Sequence, residues 1–566
     1  MTSRSRFTAC GLGPALFAAC LLTSSGCSNQ PATKAPTATT KAVDKKQFTV
    51  TNTLAALHPT EFEIGVPREL PSGELNAWAE VMLPDLIDPD VDDAKLKTAL
   101  QPYLNEAAVD RVLRRLFVPR DSVEVRDALW ARIIAESVAK TTDSELERVV
   151  KLFRFVLQNL HVLNDDKVPL ALFDRMQLGF GQPKDRAWSF ASLVQQLKLN
   201  SVIIEPTLPE ADAAKSSVIV GVLIDSDIYL FDMTIGLPIP ALDDDPKQAQ
   251  IGKVATLKQV LGSDEVLRQL DLEGNPYPYQ SAHFKTSKVS VIGDTSLWSR
   301  RFEALQNGMA KDSTAVIFQP LVSVGSFEGV IDLVTTAVKD LLPTESISVW
   351  LYADERREQR ESLSTEQLAG LKTLFDPFQA PRPLIIRPIA EPKAGEAPVS
   401  LEFGKGWNYL LVARTEQLVG QTGDAISKYL KLQGWSRLPP TPPKAPAVPP
   451  EAEAEVARLI PGDIQQLHAR AAELALFWRA SSQLANGEYG TAASDFETYI
   501  TRIEGGLFPT QARYLAGLST ALDGRWGRAA AFLSRVDKND PQYPAARFLM
   551  RRWKALADAS DATKKN

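Results

Sequence analysis

The stretch formed by residues 179–204 constrains the fold more than any other part of this sequence. After Pro183, apolar residues recur at spacings of three and four, which places them on one face of a helix; they are Ala187, Phe190, Ala191, Val194 and Leu197. Proline suits the first turn of a helix, because an amide hydrogen there would have no intrahelical partner. The β-branched run at 201–204 then predicts a strand. The sequence therefore predicts an amphipathic helix that begins at Pro183 and leads into a strand.

Residues 217–232 continue the pattern. Two apolar runs flank the turn Asp225-Ser226-Asp227, which predicts a β-hairpin that ends at Asp232. Upstream, apolar positions at helical spacing predict helices over 75–160. One of them begins at Ser144 with a capping box, in which Ser144 and Glu147 each accept a hydrogen bond from an otherwise unpaired amide.

The order of helix, strand and hairpin, with Gly181 and Ala187 at the helix start, resembles the core of the transglutaminase-like superfamily of papain-type thiol enzymes. The resemblance covers about residues 145–240 and implies an α+β domain of helices packed on a small antiparallel sheet. In that family a cysteine at the helix N-terminus is the nucleophile, a histidine is the base and an aspartate orients the histidine. Aligned without gaps, the cysteine position falls on Pro183 and the histidine position on Ser217, and only Asp232 keeps its residue type.

The missing residues predict a non-catalytic member of the family, because proline offers neither a nucleophile nor a titratable group. We therefore expect no catalytic residue at Pro183, Ser217 or Asp232, and we expect Asp232 to accept hydrogen bonds from backbone or from Thr234. Two alternatives stay open. One is a hydrolase or acyl-transferase with a relocated serine nucleophile, for instance Ser217 or Ser189, and the other is a protein that binds cell-wall carbohydrate or peptide in the old cleft.

The histidines and acidic residues give little support to catalysis or metal binding. The histidines are scattered at 58, 161, 283 and 468, and none forms a metal-ligating pair. His161 directly follows a predicted helix, where we expect it to interact with the negative end of the helix dipole. No acidic loop has the alternating oxygen ligands and glycine bend of a calcium site. We predict neither a bound metal nor a cofactor.

The N-terminal residues resemble the signal of a bacterial lipoprotein. Residues 1–26 contain basic residues and then a short apolar run, and they end in small residues before Cys27, with Ser24 where leucine is usual. We expect Cys27 to be lipidated, which accounts for the one cysteine outside the signal. Ser28 favours sorting to the outer membrane, so the sequence predicts an exported protein anchored to a membrane and facing the periplasm. Residues 27–50 are rich in Ala, Thr, Lys and Pro and predict a disordered tether.

Composition divides the rest of the chain. With 566 residues, several domains are expected: 51–245 as helices plus the transglutaminase-like domain, 246–436 as a mixed α/β continuation or second domain, and 453–566 as a helical domain. Residues 437–452 form a proline-rich linker, because most amides there are missing or lie next to proline. The formal charge of −6, from 63 basic and 69 acidic residues, argues against a nucleic-acid partner.

The C-terminal residues contain a weak internal repeat. Gly487, Tyr489 and Ala492 recur as Gly524, Trp526 and Ala529, a period of 37 residues. This pattern resembles the tetratricopeptide repeat, which implies an all-α domain that binds a protein or peptide partner. Candidate binding residues are Trp478, Tyr489 and Trp526, for which packing between helices is the competing interpretation.

Overall fold

The computed structural model describes residues 69–88, 90–163, 168–309, 315–343, 347–390, 399–443, 445, 448, 450–503 and 505–565. The signal, the tether and Cys27 lie outside these residues. The fold is α+β, as the sequence predicts: helices surround one six-stranded sheet and two smaller sheets of two strands each.

The structure contains α-helices along the whole described chain, and the longest stretch between two of them, from Gln195 to Leu257, holds strands of the large sheet. In the first half they are α1 (Glu69–Leu86), α2 (Asp93–Leu100), α3 (Glu106–Leu113), α4 (Pro119–Val138), α5 (Glu145–Asn159), α6 (Leu172–Leu178), α7 (Pro183–Gln195), α8 (Leu257–Gly262), α9 (Glu265–Arg268) and α10 (Ser281–Phe284). In the second half they are α11 (Arg300–Gly308), α12 (Val330–Val338), α13 (Tyr352–Glu361), α14 (Thr365–Thr373), α15 (Tyr409–Leu418), α16 (Thr422–Gly434), α17 (Glu453–Leu459), α18 (Gly462–Ala485), α19 (Tyr489–Arg502), α20 (Pro509–Leu522), α21 (Trp526–Leu533) and α22 (Tyr543–Lys565).

The strands form one large sheet and two small ones. They are β1 (His161–Val162), β2 (Phe180–Gly181), β3 (Asn200–Glu205), β4 (Ile219–Ile224), β5 (Asp227–Asp232), β6 (Leu237–Pro238), β7 (Lys288–Ile292), β8 (Ile347–Trp350), β9 (Leu384–Pro388) and β10 (Val399–Phe403). The large sheet has the order β6-β5-β4-β3-β7-β8 and is antiparallel except between β7 and β8. The β9/β10 pair is antiparallel, and β1 pairs with β2 in parallel.

Helix α7 and the hairpin confirm the predictions made around residue 183. Pro183 is the first residue of α7, and the helix buries Phe190 against Phe153 and Phe231, with ring centroids 5.6 and 5.1 Å apart. The predicted strand and hairpin are present as β3, β4 and β5, with Asp225 in the left-handed region at φ 55°. The predicted capping box at Ser144 is also present, and it starts α5.

The C-terminal repeat is present as two equivalent helix pairs, α18/α19 and α20/α21. Gly487 and Gly524 both adopt positive φ, at 79° and 76°, and each leads into a helix that starts with an aromatic residue. The repeat seen in the sequence therefore corresponds to a repeated turn between helices.

The proline-rich segment contacts the β9/β10 hairpin. The carbonyl of Pro440 accepts a hydrogen bond from the amide of Leu384 at 2.9 Å, and Val448 is buried beside Leu384 and Val456. Its free carbonyls and apolar side chains allow the segment to pack although it lacks amides to build a sheet.

Buried ion pairs attach α13 to the helices around it. Arg356 lies 3.5 Å from Asp185 at the start of α7, and Arg360 lies 3.1 Å from Asp174 in α6. Arg357 pairs with Glu124 of α4, and its partners also include Asp294 and Asp354. Because an unpaired buried charge is very costly, these pairs fix how α13 is positioned.

Glu124 provides a test of this network. Burial raises the pKa of the Glu124 carboxyl well above its usual value; Arg357 opposes the rise, and Asp294, Asp127 and Asp354 add to it. Since the folded pKa exceeds the unfolded one, the stability that Glu124 contributes at low pH is lost as the pH rises through the folded pKa. We expect Glu124→Gln to raise the free energy of unfolding by about 1 kcal/mol or more at pH 8, because Arg357 keeps Asp294 and Asp354 as partners in the variant. This gain should shrink towards pH 4.

Urea titrations between pH 4 and pH 8 measure this difference. The control is Glu136→Gln on the same helix, where the carboxylate is 55% exposed and the change should stay within about 0.5 kcal/mol. A Glu124→Gln protein that is less stable than the parent at pH 8 would show that attraction to Arg357 outweighs the cost of burial.

Candidate functional site

Polar contacts hold the N-terminal turn of α7, and its first helical residue, Pro183, is not a nucleophile. Asp185 accepts a hydrogen bond from the amide of Gln182 at 2.7 Å, which caps the helix start. The same carboxylate accepts from Tyr352 Oη at 2.9 Å and lies 3.1 Å from Arg175 Nε. Pro183 is half-buried at the first helical position and contributes no titratable group.

Ser217 and Asp232 lie close together at one edge of the large sheet. Asp232 pairs with Ile219 in the β4/β5 register, two residues beyond Ser217. Asp232 Oδ1 accepts from the amides of Thr234 and Ile235 at 2.9 and 3.1 Å, which confirms the expectation that backbone groups are its partners. Its other oxygen accepts from Tyr277 Oη at 2.8 Å.

Two tyrosines that the sequence interpretation missed complete this cluster. Tyr277 donates to Asp232, and Tyr279 Oη accepts a hydrogen bond of 2.6 Å from the amide of Ser217. Burial raises the pKa of Asp232, although hydrogen bonds from Ile235, Tyr277, Thr234 and Ser217 oppose the rise. Burial and the nearby Asp232 carboxylate raise the pKa of Tyr277 well above 10, so its proton stays in place. In the sequence, only the motif Tyr-Pro-Tyr at 277–279 marks these two tyrosines, and the spacing of its aromatic residues does not by itself indicate a chemical role.

Arg186 connects the start of α7 to the same edge of the sheet. Its Nη1 donates to the carbonyl of Met233, the residue after Asp232, at 3.4 Å, and its Nε donates to the carbonyl of Leu160 at 2.8 Å. Burial lowers the pKa of Arg186 to about 10. Pro183 therefore lies one helical turn from a side chain that contacts the residue next to Asp232.

The three described histidines, His161, His283 and His468, are not placed to act as a base for these serines, and His58 lies outside the described residues. His161 is buried, neither ring nitrogen has a hydrogen-bond partner in the described part of the chain, and its ring stacks on Trp478 with centroids 6.0 Å apart. Burial, Arg186 and Arg414 lower its pKa well below 6.5. The expected interaction of His161 with the helix end is therefore wrong, because neither ring nitrogen bonds a carbonyl of the preceding helix and the ring packs among Phe477, Trp478 and Phe508.

Ser189 has no activating partner either. It is 1% exposed on α7, and its Oγ has no hydrogen-bond partner among the residues that the structure describes. His468 Nε2 accepts from the amide of Arg382 at 3.1 Å, and His283 Nδ1 accepts from the amide of Gln280 at 3.2 Å. Neither ring contacts Ser189 or Ser217.

Arg414 of α15 is a further side chain that the sequence did not single out. Its guanidinium lies 3.4 Å above the ring of Trp478 and donates to the carbonyls of Asn159 and Met176 at 3.1 and 2.7 Å. Those carbonyls belong to the last turns of α5 and α6, where helix carbonyls lack intrahelical partners. Burial lowers the pKa of Arg414 to about 9. The sequence could have indicated Arg414, because this arginine falls on the apolar helix face of Leu410, Ala413 and Leu418, which the structure buries.

The three candidate binding residues of the repeat, Trp478, Tyr489 and Trp526, differ in how deeply they are buried. Trp478 is fully buried against His161, Arg414 and Phe508. Tyr489 and Trp526 are partly buried and pack against the main hydrophobic core.

Comparison with known proteins supplies no relative. The chain matches no family model, no curated protein and no solved structure. Within the described ranges, no cluster of three or more His, Cys, Asp or Glu side chains is arranged to hold a metal ion. No helix among the same residues has the length and apolar character needed to cross a bilayer.

A substitution at Gly179 tests the contact between Trp478 and the residues before α7. It ends α6 at φ 80°, and a Cβ there would lie 2.3 Å from the Trp478 ring. We expect Gly179→Ala to lower the free energy of unfolding by about 3 kcal/mol, from backbone strain plus overpacking.

Gly274→Ala is the matched control, because Gly274 has φ 70° and nothing within 4 Å of the added Cβ. It should cost only about 1 kcal/mol, the strain component. Equal losses for the two variants in urea titrations would show that Trp478 can move away without cost.

Proposed function

We propose that this protein is a non-catalytic, transglutaminase-like lipoprotein that acts as an interaction or scaffolding module at the bacterial cell envelope. The order of α7, β3 and the β4/β5 hairpin supports the family assignment. So does the position of Ser217 and Asp232 at one sheet edge, to which Arg186 of α7 also reaches. The cleft region would retain its fold while its chemistry is lost.

The environment of Asp232 is the observation that carries the proposal. In a working enzyme of the family this aspartate orients a histidine. Here Oδ1 accepts hydrogen bonds from two backbone amides and Oδ2 accepts from Tyr277, and no histidine among the described residues is bonded to either oxygen. Pro183 replaces the nucleophile and Ser217 replaces the base, and the carboxylate therefore supports structure instead of catalysis.

The C-terminal helix pairs are the proposed partner-binding region. Helices α18 and α20 bury their side chains against the rest of the chain, as the contacts of Trp478 with His161 and Arg414 illustrate. A protein or peptide partner would therefore meet the exposed sides of α19 and α21, which carry Glu497 and Arg528. No nucleic-acid role is proposed, given the net negative charge.

The first test is enzymatic. We expect the purified mature protein, offered a glutamine-containing peptide and a primary amine, to form no isopeptide product, with an active transglutaminase as the positive control. A fluorophosphonate probe should likewise leave Ser217 and Ser189 unlabelled. Neither serine is bonded to a described histidine, and Asp232, which accepts from Ser217, also accepts from Tyr277 and two backbone amides. Turnover that Asp232→Ala abolishes, or labelling that Ser217→Ala or Ser189→Ala removes, would contradict the proposal in favour of an active enzyme.

The second test concerns the lipid anchor. We expect the full-length chain expressed in a two-membrane bacterium to incorporate labelled palmitate and to fractionate with the outer membrane. Cys27→Ser should lose the label, whereas Cys20→Ser should keep it, because Cys20 lies in the segment that is removed. Label retained in the Cys27→Ser protein would show that the anchor is absent or elsewhere.

A further inference from the structure

A large cavity lies beside α13, apart from Pro183, Ser217 and Asp232. It has a volume of about 550 Å³ and opens between the start of α4, the residues before α6, and helices α13 and α14. This volume falls within the ~300–1,000 Å³ that is typical of small-molecule sites. Of α7, only Trp188 reaches it.

The cavity combines an apolar wall with a cluster of cations. The apolar wall comprises Pro119, Val123, Pro169, Leu170, Ala171, Trp188, Leu368, Ala369 and Leu371. The cations are Arg120, Arg356, Arg357, Arg360 and Lys372, and the acidic residues of the lining are Glu124 and Glu361. Cations outnumber acids on the lining, so it suits a ligand that carries negative charge at one end and an apolar body at the other.

Several of the arginines are held in place before any ligand arrives. Arg356 Nε donates to Tyr352 Oη at 2.7 Å, Arg360 pairs with Asp174 at 3.1 Å, and Arg357 pairs with Glu124. A guanidinium that is already ordered loses little conformational entropy on binding an anion. Asp174 lies outside the lining and Glu124 lies on it, and both neutralise part of the arginines' charge, which favours a ligand with one anionic group over a polyanion.

Two buried donors on the cavity lining are unused. Arg120 Nη1 and Arg357 Nε are both buried and have no hydrogen-bond partner among the described residues. Arg357 is 8% exposed and its guanidinium lies 6.0 Å from the Trp188 ring centroid. Buried N–H groups without an acceptor are costly, and an anion bound in the cavity would supply the acceptor.

We propose that this cavity binds a small amphipathic anion, a single carboxylate or phosphate group carried on an apolar body. The anionic group would accept hydrogen bonds from Arg120 and Arg357, and the apolar body would pack on Trp188, Leu170 and Leu371. Arg356 and Arg360 would contribute charge from the adjacent turns of α13. This site is independent of the proposed scaffolding function, since it uses none of the residues on which that function depends.

The experiment is isothermal titration calorimetry on the full mature chain with three probes of equal chain length, all below their micelle concentrations. The probes are dodecanoate, dodecyl phosphate and the dodecyltrimethylammonium cation. We expect saturable binding of one or both anions with one site, and at least tenfold weaker binding of the cation. The stronger of the two anions identifies the head group. Equal affinities for anions and cation, or no saturable binding of either anion, would overturn the proposal.

Two substitutions locate the binding site. Arg120→Gln removes an unpartnered donor without breaking an ion pair seen in the structure, so it should leave the fold intact and weaken anion binding at least tenfold. The control is Arg148→Gln, which changes a half-buried arginine with an unpartnered Nε outside the cavity and should leave affinity unchanged.

The second substitution fills the cavity without changing charge. Ala369→Trp, on the exposed side of α14, should also weaken binding at least tenfold, whereas Thr373→Trp on the same helix lies outside the cavity and should not. If anion affinity is the same in Arg120→Gln, Ala369→Trp and the parent, binding occurs elsewhere and the assignment to this cavity is wrong.

Discussion

The structure depends above all on the pairing of buried arginines with carboxylates around α13. Asp185, fully buried at the start of α7, lies 3.1 Å from Arg175 and 3.5 Å from Arg356, so one carboxylate connects α6, α7 and α13. Asp174 does the same between Arg126 of α4 and Arg360 of α13. Removing Asp185 or Asp174, the carboxylates beside Arg356 and Arg360, leaves a buried charge uncompensated, which costs several kcal/mol. The network therefore specifies how the helices are arranged around α7 more than it adds net stability.

A second group of buried arginines satisfies helix ends. Arg414 donates to carbonyls in the last turns of α5 and α6, and Arg186 donates to the carbonyl of Leu160, which follows α5. Arg301 donates to the carbonyls of Arg111 and Arg114 at the end of α3. Each supplies N–H donors to carbonyls that the helix itself leaves unpaired. These contacts hold the residues before α7 against Trp478, so the proposed cleft and the helical repeat depend on one another.

The proposed degenerate triad, Pro183, Ser217 and Asp232, lacks the contacts that catalysis needs. A catalytic aspartate needs an oxygen free to accept from an imidazole, and a nucleophile needs a base within hydrogen-bond reach. Asp232 instead accepts from the amides of Thr234 and Ile235 and from Tyr277, while the buried Ser189 hydroxyl has no hydrogen-bond partner in the part of the chain that the structure describes. The cavity beside α13 shows the opposite situation, in which residues of the lining carry buried donors without an acceptor among the described residues.

Local patterns in the sequence determined those structural elements that depend only on neighbouring residues. The proline at the start of α7, the Ser144 capping box, the β4/β5 hairpin and the repeated Gly487 and Gly524 turns all depend on contacts within a few residues. Neighbouring side chains and backbone geometry specify those contacts directly. Only the tertiary structure decided the partners of Asp232, the aromatic surroundings of His161 and the cavity lined by Arg120 and Arg357. The partners in these cases lie far apart along the chain, with Arg414 and Asn159 separated by 255 residues. No periodicity encodes such a pairing, because it exists only once the helices have packed and excluded water.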